Sequence, residues 1–418
     1  MSKLSTQPLK GFRDFLSEET LKRQWLKNEI TKVFEKWGYD PIETPTLEPL
    51  SIFEGQIGDD EKLFYKFKDA GNRDVALRYD QSVPTARFVA EHRNEISMPF
   101  RRYQMQNVFR AEKPQKGRYR EFMQCDVDIF GVSSPLADAE VIAVGLDVYR
   151  SLGVKNAKLL ISDRYLLQGF PYEAIVCIDK LKKIGEDGVI SEMIKKGIKE
   201  EEAKRYLFEM KNIKPNEDLQ TIFNYLKSQG FDESWYKFDP TIARSFSYSS
   251  GPIWEIVIED AFESSVLGGE RYDGLIESIS GIKIEATGFG LGFDRTLEVL
   301  EALGLIPENL LTETDVLVTV FADSLVNESA KTSYALRSFG LNVEMYSNPN
   351  DKLGKQIKYA LNKGIKWVVV IGPDEVKEGV VVLKNLETED QKKVKTEEIY
   401  SVIGVAPDPG LPPHKKGR

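Results

Sequence analysis

VFRAEKPQKGRYREFMQCDVDIFG, residues 108–131, decides the fold of this chain. Two β-type runs, RRYQMQNVFRA and EFMQCDVDIFG, flank a polar stretch whose Gly117 permits a tight turn, which predicts two antiparallel strands. Arg110 and Glu112, two positions apart on an extended segment, are expected to point the same way. An arginine beside a carboxylate facing a cleft suits a nucleotide. The guanidinium can take phosphate oxygens bidentately, and the acid can accept from an exocyclic amine.

Around this hairpin the apolar rhythm of residues 18–37 (Leu21, Trp25, Ile30, Val33, Phe34) predicts an amphipathic helix ending at Gly38. YDPIETPTLEP reads as an extended segment broken by prolines, LFYKFKD and DVALRYD as short strands, Ser82–Glu91 as a helix, and 136–152 as a helix closed by Gly153. The sum is a mixed, largely antiparallel sheet. From 165 to 235 the composition turns to Lys- and Glu-rich helical segments, a helical insertion. Strands return at IWEIVIE and SVLGG, and ATGFGLGFDR leads into a helix ending near Gly304. After IPENLLTETD, strands alternate with helices (DVLVTVF, 325–338, LNVEMYS, 352–363, WVVVIG, VVVLKNL), which predicts a small α/β domain with parallel strands. The tail from Pro407 is expected to be disordered.

The bulk composition excludes several functions. At 418 residues, with 41% hydrophobic and 29% charged residues, the chain is long enough for two or three domains. No apolar run approaches the roughly 18 residues of a membrane span, and the opening residues lack a signal-peptide core. A cytoplasmic protein with no membrane partner is expected. Cys125 and Cys177 are too few for a disulfide framework, and His92 and His414 lie at no metal-ligand spacing. A net charge of −9 argues against coating nucleic acid, while leaving local basic faces at Lys113–Arg120 and Lys352–Lys366.

The FRAE segment, its loop and the second strand resemble the second signature motif of class II aminoacyl-tRNA synthetases, and PQKGRYREF resembles the histidyl-tRNA synthetase family in particular. GFGLGFDR, residues 288–295, resembles the third motif, and Gly38, Tyr39, Pro45 and Glu48 fit the first. The resemblance runs over nearly the whole chain. It implies an α+β fold: a class II antiparallel sheet flanked by helices over 1–164 and 236–310, a helical insertion over 165–235, and an α/β anticodon-binding domain over 314–404, with 405–418 as tail.

By resemblance, Arg110 binds the α-phosphate of ATP, Glu112 positions the adenine amine, Phe122 stacks on adenine, Arg118 assists at the phosphates and Arg295 holds the γ-phosphate. LRYDQSVPTAR resembles the segment that binds the substrate ammonium, which puts Asp80 there with Ser82 beside it. Gln124 and Asp128 match pocket positions, Asp128 facing the imidazole. ARSFSYSSGPIWE matches a family stretch in which Arg244 contacts the α-phosphate; Tyr248 and Gly251 also match. Yet Ser247 stands for an Asp, Ser249 for a Tyr whose hydroxyl meets the imidazole, and Glu270 in LGGERYDGL for a Gly. Tyr272 matches a pocket tyrosine.

The resemblance implies histidine activation by ATP with Mg²⁺, transfer to tRNA(His), and a homodimer built on the first-motif region. Two other expectations stand beside it. One is a non-catalytic regulatory paralogue partnering a histidine-biosynthetic enzyme. The other is a class II synthetase for another amino acid, motivated by Ser247, Ser249 and Glu270.

Overall fold

The computed structural model describes residues 5–56, 62–114, 117–242, 249–259 and 262–404. Arg244, Ser247 and Tyr248, part of the Lys113–Arg120 face and the tail from 405 lie outside the described residues. The chain divides into two compact units, one holding residues up to Asp14 and Trp25–Ile306, the other Phe15–Gln24 and the chain from Pro307 onward.

In the first unit the chain runs α1 (Ser17–Lys36, shared with the second unit), β1 (Asp40–Pro41), β2 (Leu47–Pro49), β3 (Lys66–Lys68), β4 (Asp74–Leu77), α2 (Ser82–Glu91), β5 (Phe100–Phe109), β6 (Glu121–Phe130), α3 (Pro135–Ser151) and β7 (Ala157–Asp163). It continues through α4 (Tyr172–Ile178), α5 (Leu181–Lys195), α6 (Glu200–Asn212), α7 (Glu217–Ser228), β8 (Tyr236–Phe238), β9 (Pro252–Ile258), β10 (Phe262–Arg271), α8 (Gly274–Ser280), β11 (Ala286–Gly292) and α9 (Phe293–Ala302). Eight strands form one sheet in the order β1-β5-β6-β11-β10-β9-β7-β8. From β5 to β7 every neighbour pairs antiparallel; only the two ends, β1 on β5 and β8 on β7, are parallel.

Period-two alternation gives this sheet two unlike faces. On β6, Cys125, Val127 and Ile129 are fully buried in the main core, as are Phe289 and Leu291 of β11. They pack with Leu26, Ile30, Val33 and Phe34 of α1, with α3, and with Leu297, Val299 and Leu300 of α9. The intervening residues, Gln124, Asp126 and Asp128 on β6 and Gly288, Gly290 and Gly292 on β11, therefore face the other side. Helix α3 starts where Ser134 Oγ accepts the Leu136 N–H at 3.3 Å, with Pro135 in the first turn.

The Lys- and Glu-rich stretch is helical but has two packing allegiances. Residues of α4, α5 and α6 enclose their own small core around Leu167, Ile178, Met193, Leu207 and Met210, whereas α7 buries Leu219, Ile222 and Leu226 in the main core.

The second unit carries β12 (Val316–Val318), α10 (Val326–Ser338), β13 (Val343–Met345), α11 (Leu353–Lys363), β14 (Trp367–Val370), α12 (Pro373–Glu378), β15 (Val381–Asn385), β16 (Gln391–Val394) and α13 (Ile399–Ile403). Its sheet has the order β13-β12-β14-β15-β16. The expected parallel pairing holds for β13, β12 and β14, but β15 and β16 run antiparallel. The cause is connection length. Ten residues separate Val370 from Val381, fewer than the dozen or more that a parallel crossover takes, so the chain turns back on itself.

Candidate active site

Beyond Phe109 the β5–β6 ladder opens. Arg110 and Glu112 lie past the strand end rather than along it, a correction to the extended reading, although the Arg110 N–H still donates to the Arg120 carbonyl at 2.9 Å. Gly117 takes φ +72°, the left-handed turn that its lack of a Cβ allows. The Arg110 guanidinium lies 4.3 Å from the Tyr79 ring centroid and 5.2 Å from that of Phe122, and its Nε donates to the Tyr79 carbonyl at 3.2 Å. It is thus fixed between two aromatic rings with donors left to offer.

A cavity of about 220 Å³ opens here, lined by Arg110, Glu112, Arg118, Phe122 and Arg295 among others. All five expected nucleotide-side residues come together on it. Arg118 Nη1 reaches Glu112 Oε2 at 3.4 Å, and Arg295 Nη1 donates to the Ser265 carbonyl at 2.9 Å. Burial holds the Arg295 pKa below the ordinary arginine value, and the Arg118 and Arg110 charges add to the depression. Crowded like charges of this kind are relieved by a polyanion. Helix α9 also starts at this wall, and an N-terminus favours negative charge.

Residues outside the expected set hold this wall in place. Asp294, in the first turn of α9, accepts from Arg13 Nη2 at 2.6 Å and from the Met123 N–H at 3.1 Å, which ties the helix to β6. Arg13 in turn covers the Tyr119 ring at 3.3 Å, and the Tyr119 hydroxyl donates to Glu298 at 3.1 Å.

A second cavity, about 90 Å³, adjoins the first through the shared residues Arg110, Gln124, Gly268 and Gly290. Asp80, Ser82, Gln124, Asp128 and Tyr272 line it, so these five expected residues also meet. Asp126 and Glu270 line it too, neither of them expected. Ser249 is absent from the lining; its Oγ donates to Glu270 Oε2.

Glycine forms the floor because nothing larger fits. Gly288 pairs with Asp128 and Gly290 with Asp126 across β11 and β6. A Cβ on Gly288 would collide with Asp128 Oδ1, and one on Gly290 would stand 3.1 Å from Gln124 Nε2 and 3.2 Å from Asp126 Oδ1.

The acids of this cavity share one electrostatic condition. Burial raises the Asp128 carboxyl above its ordinary range against the pull of Arg102, its buried ion-pair partner directly across β5, and of the Tyr272 hydroxyl that donates to it. Asp126 is pushed well above that range by burial, with Asp128 and Asp80 adding repulsion and Arg102 and Arg110 opposing. Asp126 is only 3% exposed, and its Oδ1 has no hydrogen-bond partner among the described residues. Asp80 is raised as well, by burial, although the Val83 N–H at the start of α2 donates to it at 3.3 Å.

An arginine-lined cleft joined to an acid-lined one, over the glycine floor of an antiparallel sheet, is the catalytic architecture of a class II aminoacyl-tRNA synthetase. A family model described as histidyl-tRNA synthetase matches residues 11–176 and 190–296, and one described as anticodon binding domain matches 315–404. The chain is 37% identical over 425 residues to the histidine–tRNA ligase of Wolinella succinogenes, covering 93% of this chain and 96% of the relative. It is 34% identical over 442 residues to that of Cytophaga hutchinsonii, covering 93% and 97%. The crystal structure of histidyl-tRNA synthetase from Nostoc sp. PCC 7120 superposes with a TM-score of 0.83 at 28% identity, covering 96% of this chain and 99% of that one. The chain belongs to the histidyl-tRNA synthetase family.

Proposed function

We propose that this chain is a histidine–tRNA ligase that uses the two adjoining cavities to join histidine to ATP and then passes the histidyl group to tRNA(His). The observation that carries this reading is their meeting at Arg110, Gln124, Gly268 and Gly290. An amino acid in the acid-lined cavity would keep its ammonium at Asp80 and send its carboxylate toward Arg110. There the carboxylate would attack the α-phosphate of ATP, forming histidyl-adenylate and releasing pyrophosphate. The adenylate then acylates the terminal ribose of the tRNA.

In this reading Phe122 stacks on adenine, Glu112 accepts from its amine, Arg118 assists at the phosphates and Arg295 holds the γ-phosphate. Arg110 and Arg244 steady the charge that develops on the α-phosphate, so catalysis comes from alignment and electrostatic stabilisation. Gln124 and Ser82 line the amino-acid side with Asp128 and Tyr272, with Tyr248 and Ser249 assigned there as well. Bound Mg²⁺ would be held mainly by phosphate oxygens and water and would offset phosphate charge.

The second unit takes the anticodon, in keeping with its family match. The reading extends to a homodimer formed through the region of Gly38, Tyr39, Pro45 and Glu48, working in the cytoplasm. Among the described residues no helix is long and apolar enough to cross a membrane.

Amino-acid-dependent exchange of labelled pyrophosphate into ATP, run with each of the twenty amino acids, tests the reading. Exchange with histidine alone is expected. Exchange with another amino acid instead would move the substrate, and exchange with none would favour a regulatory protein.

A further inference from the structure

We propose that Glu270, standing opposite Asp128 across the glycine floor, makes the small cavity a receptor for the imidazolium form of histidine, so that the ring is bound protonated. This rests on the reading of that cavity as the histidine site.

The geometry follows from the sheet register. Glu270 on β10 pairs with Gly288 on β11, and Gly288 pairs with Asp128 on β6. Residues in one row across a sheet project to the same face, so the two carboxylate side chains rise on one side with a glycine between them. Two strand spacings put their backbones about 10 Å apart. Both residues line the cavity, and both are buried, at 6% and 3% exposure. The Asp128 carboxylate leans over Gly288, and an imidazole ring bound between the two acids would present one nitrogen to each.

Chemistry then selects the ionisation state. A neutral imidazole carries one N–H donor and one bare acceptor nitrogen, and a carboxylate facing the acceptor gains nothing. Imidazolium carries two donors and satisfies both walls with charge-assisted bonds.

The charge balance agrees. Among the described residues, Asp80, Asp126, Asp128 and Glu270 line the cavity with the Arg110 guanidinium, and Arg102 stands behind Asp128. The buried Asp126 Oδ1, without a partner among the described residues, marks the same need for donors. Among the described residues, the lining also carries the Gln124 amide and the Ser82 and Tyr272 hydroxyls. Tyr272 donates to Asp128, and Ser249, at a position where the family pattern has tyrosine, donates to Glu270 and holds it at the wall.

Proton linkage gives a direct measurement. Histidine is titrated calorimetrically into the full-length protein at about pH 7.5, in buffers of different ionisation enthalpy. A free ring with a pKa of about 6.5 is mostly neutral there, so binding as imidazolium takes up close to one proton. The cavity's own acids cannot imitate this signal. Asp80, Asp126 and Asp128, all held above the ordinary carboxylate range, release protons rather than gain them when a cation arrives.

The expected result is a net uptake with histidine that exceeds, by close to one proton, that with β-(1,2,4-triazol-3-yl)alanine, whose ring stays neutral and whose ammonium is the same. In E270Q, whose amide can donate to a bare ring nitrogen, this excess should fall toward zero while the triazole analogue keeps its affinity within about threefold. Uptake with histidine no greater than with the analogue in the parent protein, or an undiminished excess in E270Q, would overturn the inference. The parent measurement stands whether or not the variant folds. Absence of any histidine binding would instead sink the functional reading, and this inference with it.

Discussion

The two cavities share one sheet, one glycine floor and one arginine, yet they are electrostatic opposites. The larger gathers Arg110, Arg118 and Arg295, close enough that burial and their mutual repulsion depress Arg295. The smaller gathers Asp80, Asp126, Asp128 and Glu270, and the first three are raised by burial. Each is strained toward the charge it lacks, the first toward a polyphosphate and the second toward a cation. Arg110 belongs to both, where a carboxylate and a phosphate would meet. The specificity for ATP and that for the amino acid are therefore expected to be separable everywhere except at Arg110.

The largest effect should come from breaking that junction. Arg110→Ala removes a guanidinium that both substrates share, and loss of one preorganised transition-state donor typically costs about 10²–10³ in rate. Pyrophosphate exchange should fall by at least about 10³-fold, with both KM values affected. A loss confined to the KM for ATP would show that Arg110 does not bridge the cavities.

Gly288→Ala should act on one cavity alone. The added methyl must displace the Asp128 carboxylate, which already holds Arg102 and Tyr272, and it presses on the Val127 carbonyl of β6. With a displacement near one ångström costing about 10²-fold, kcat/KM for histidine should drop by about that factor while the KM for ATP moves less than about twofold. Equal losses for both substrates would mean that the floor is one mechanical unit and the comparison of two separate cavities is wrong.

What the sequence disclosed follows the same division. The arginine side is recognisable because its residues sit in short local motifs: Arg110 through Phe122 span one hairpin, and Arg295 lies in the first turn of α9, directly after the glycine-rich β11. The antiparallel sheet and its flanking helices were legible for a like reason, since Cys125, Val127 and Ile129 alternate with polar residues over one run. The same alternation puts Asp126 on the face of Gln124 and Asp128, a signal carried by the period of the strand and not by the family motif.

Glu270 is different. The pairing of β10 with β9 shifts register between Phe262 and Leu267, so parity along β10 cannot be counted from its start. Its partner strand β11 arrives only after α8. The glycine opposite Glu270, and Asp128 beyond it, come together only through three-dimensional register. Arg244 and Tyr248, beside Ser249, lie outside the described residues, so their assignment rests on the resemblance alone.

The smallest effect concerns stability, and it separates an acid used for packing from the acids used for binding. Asp138 of α3 is buried like Asp128, but its Oδ2 accepts from Arg271 Nε at 3.1 Å and Nη2 at 2.8 Å, and it lines neither cavity. Burial pushes its carboxyl up to about 6 from 3.8, against the pull of Arg271. The folded state thus holds this proton more tightly than the unfolded chain. Its contribution is fully present below about pH 4 and is lost as pH rises through about 6. Relative to Asp138→Asn, the parent protein should therefore gain stability on acidification from pH 7 to pH 4, by at most about 3 kcal/mol for a shift of about two units. Denaturant midpoints of the two proteins across that range check the sign. If the parent loses stability relative to the variant as pH falls, the Arg271 pair outweighs burial, and Asp138 is held ionised while the acids of the small cavity are not.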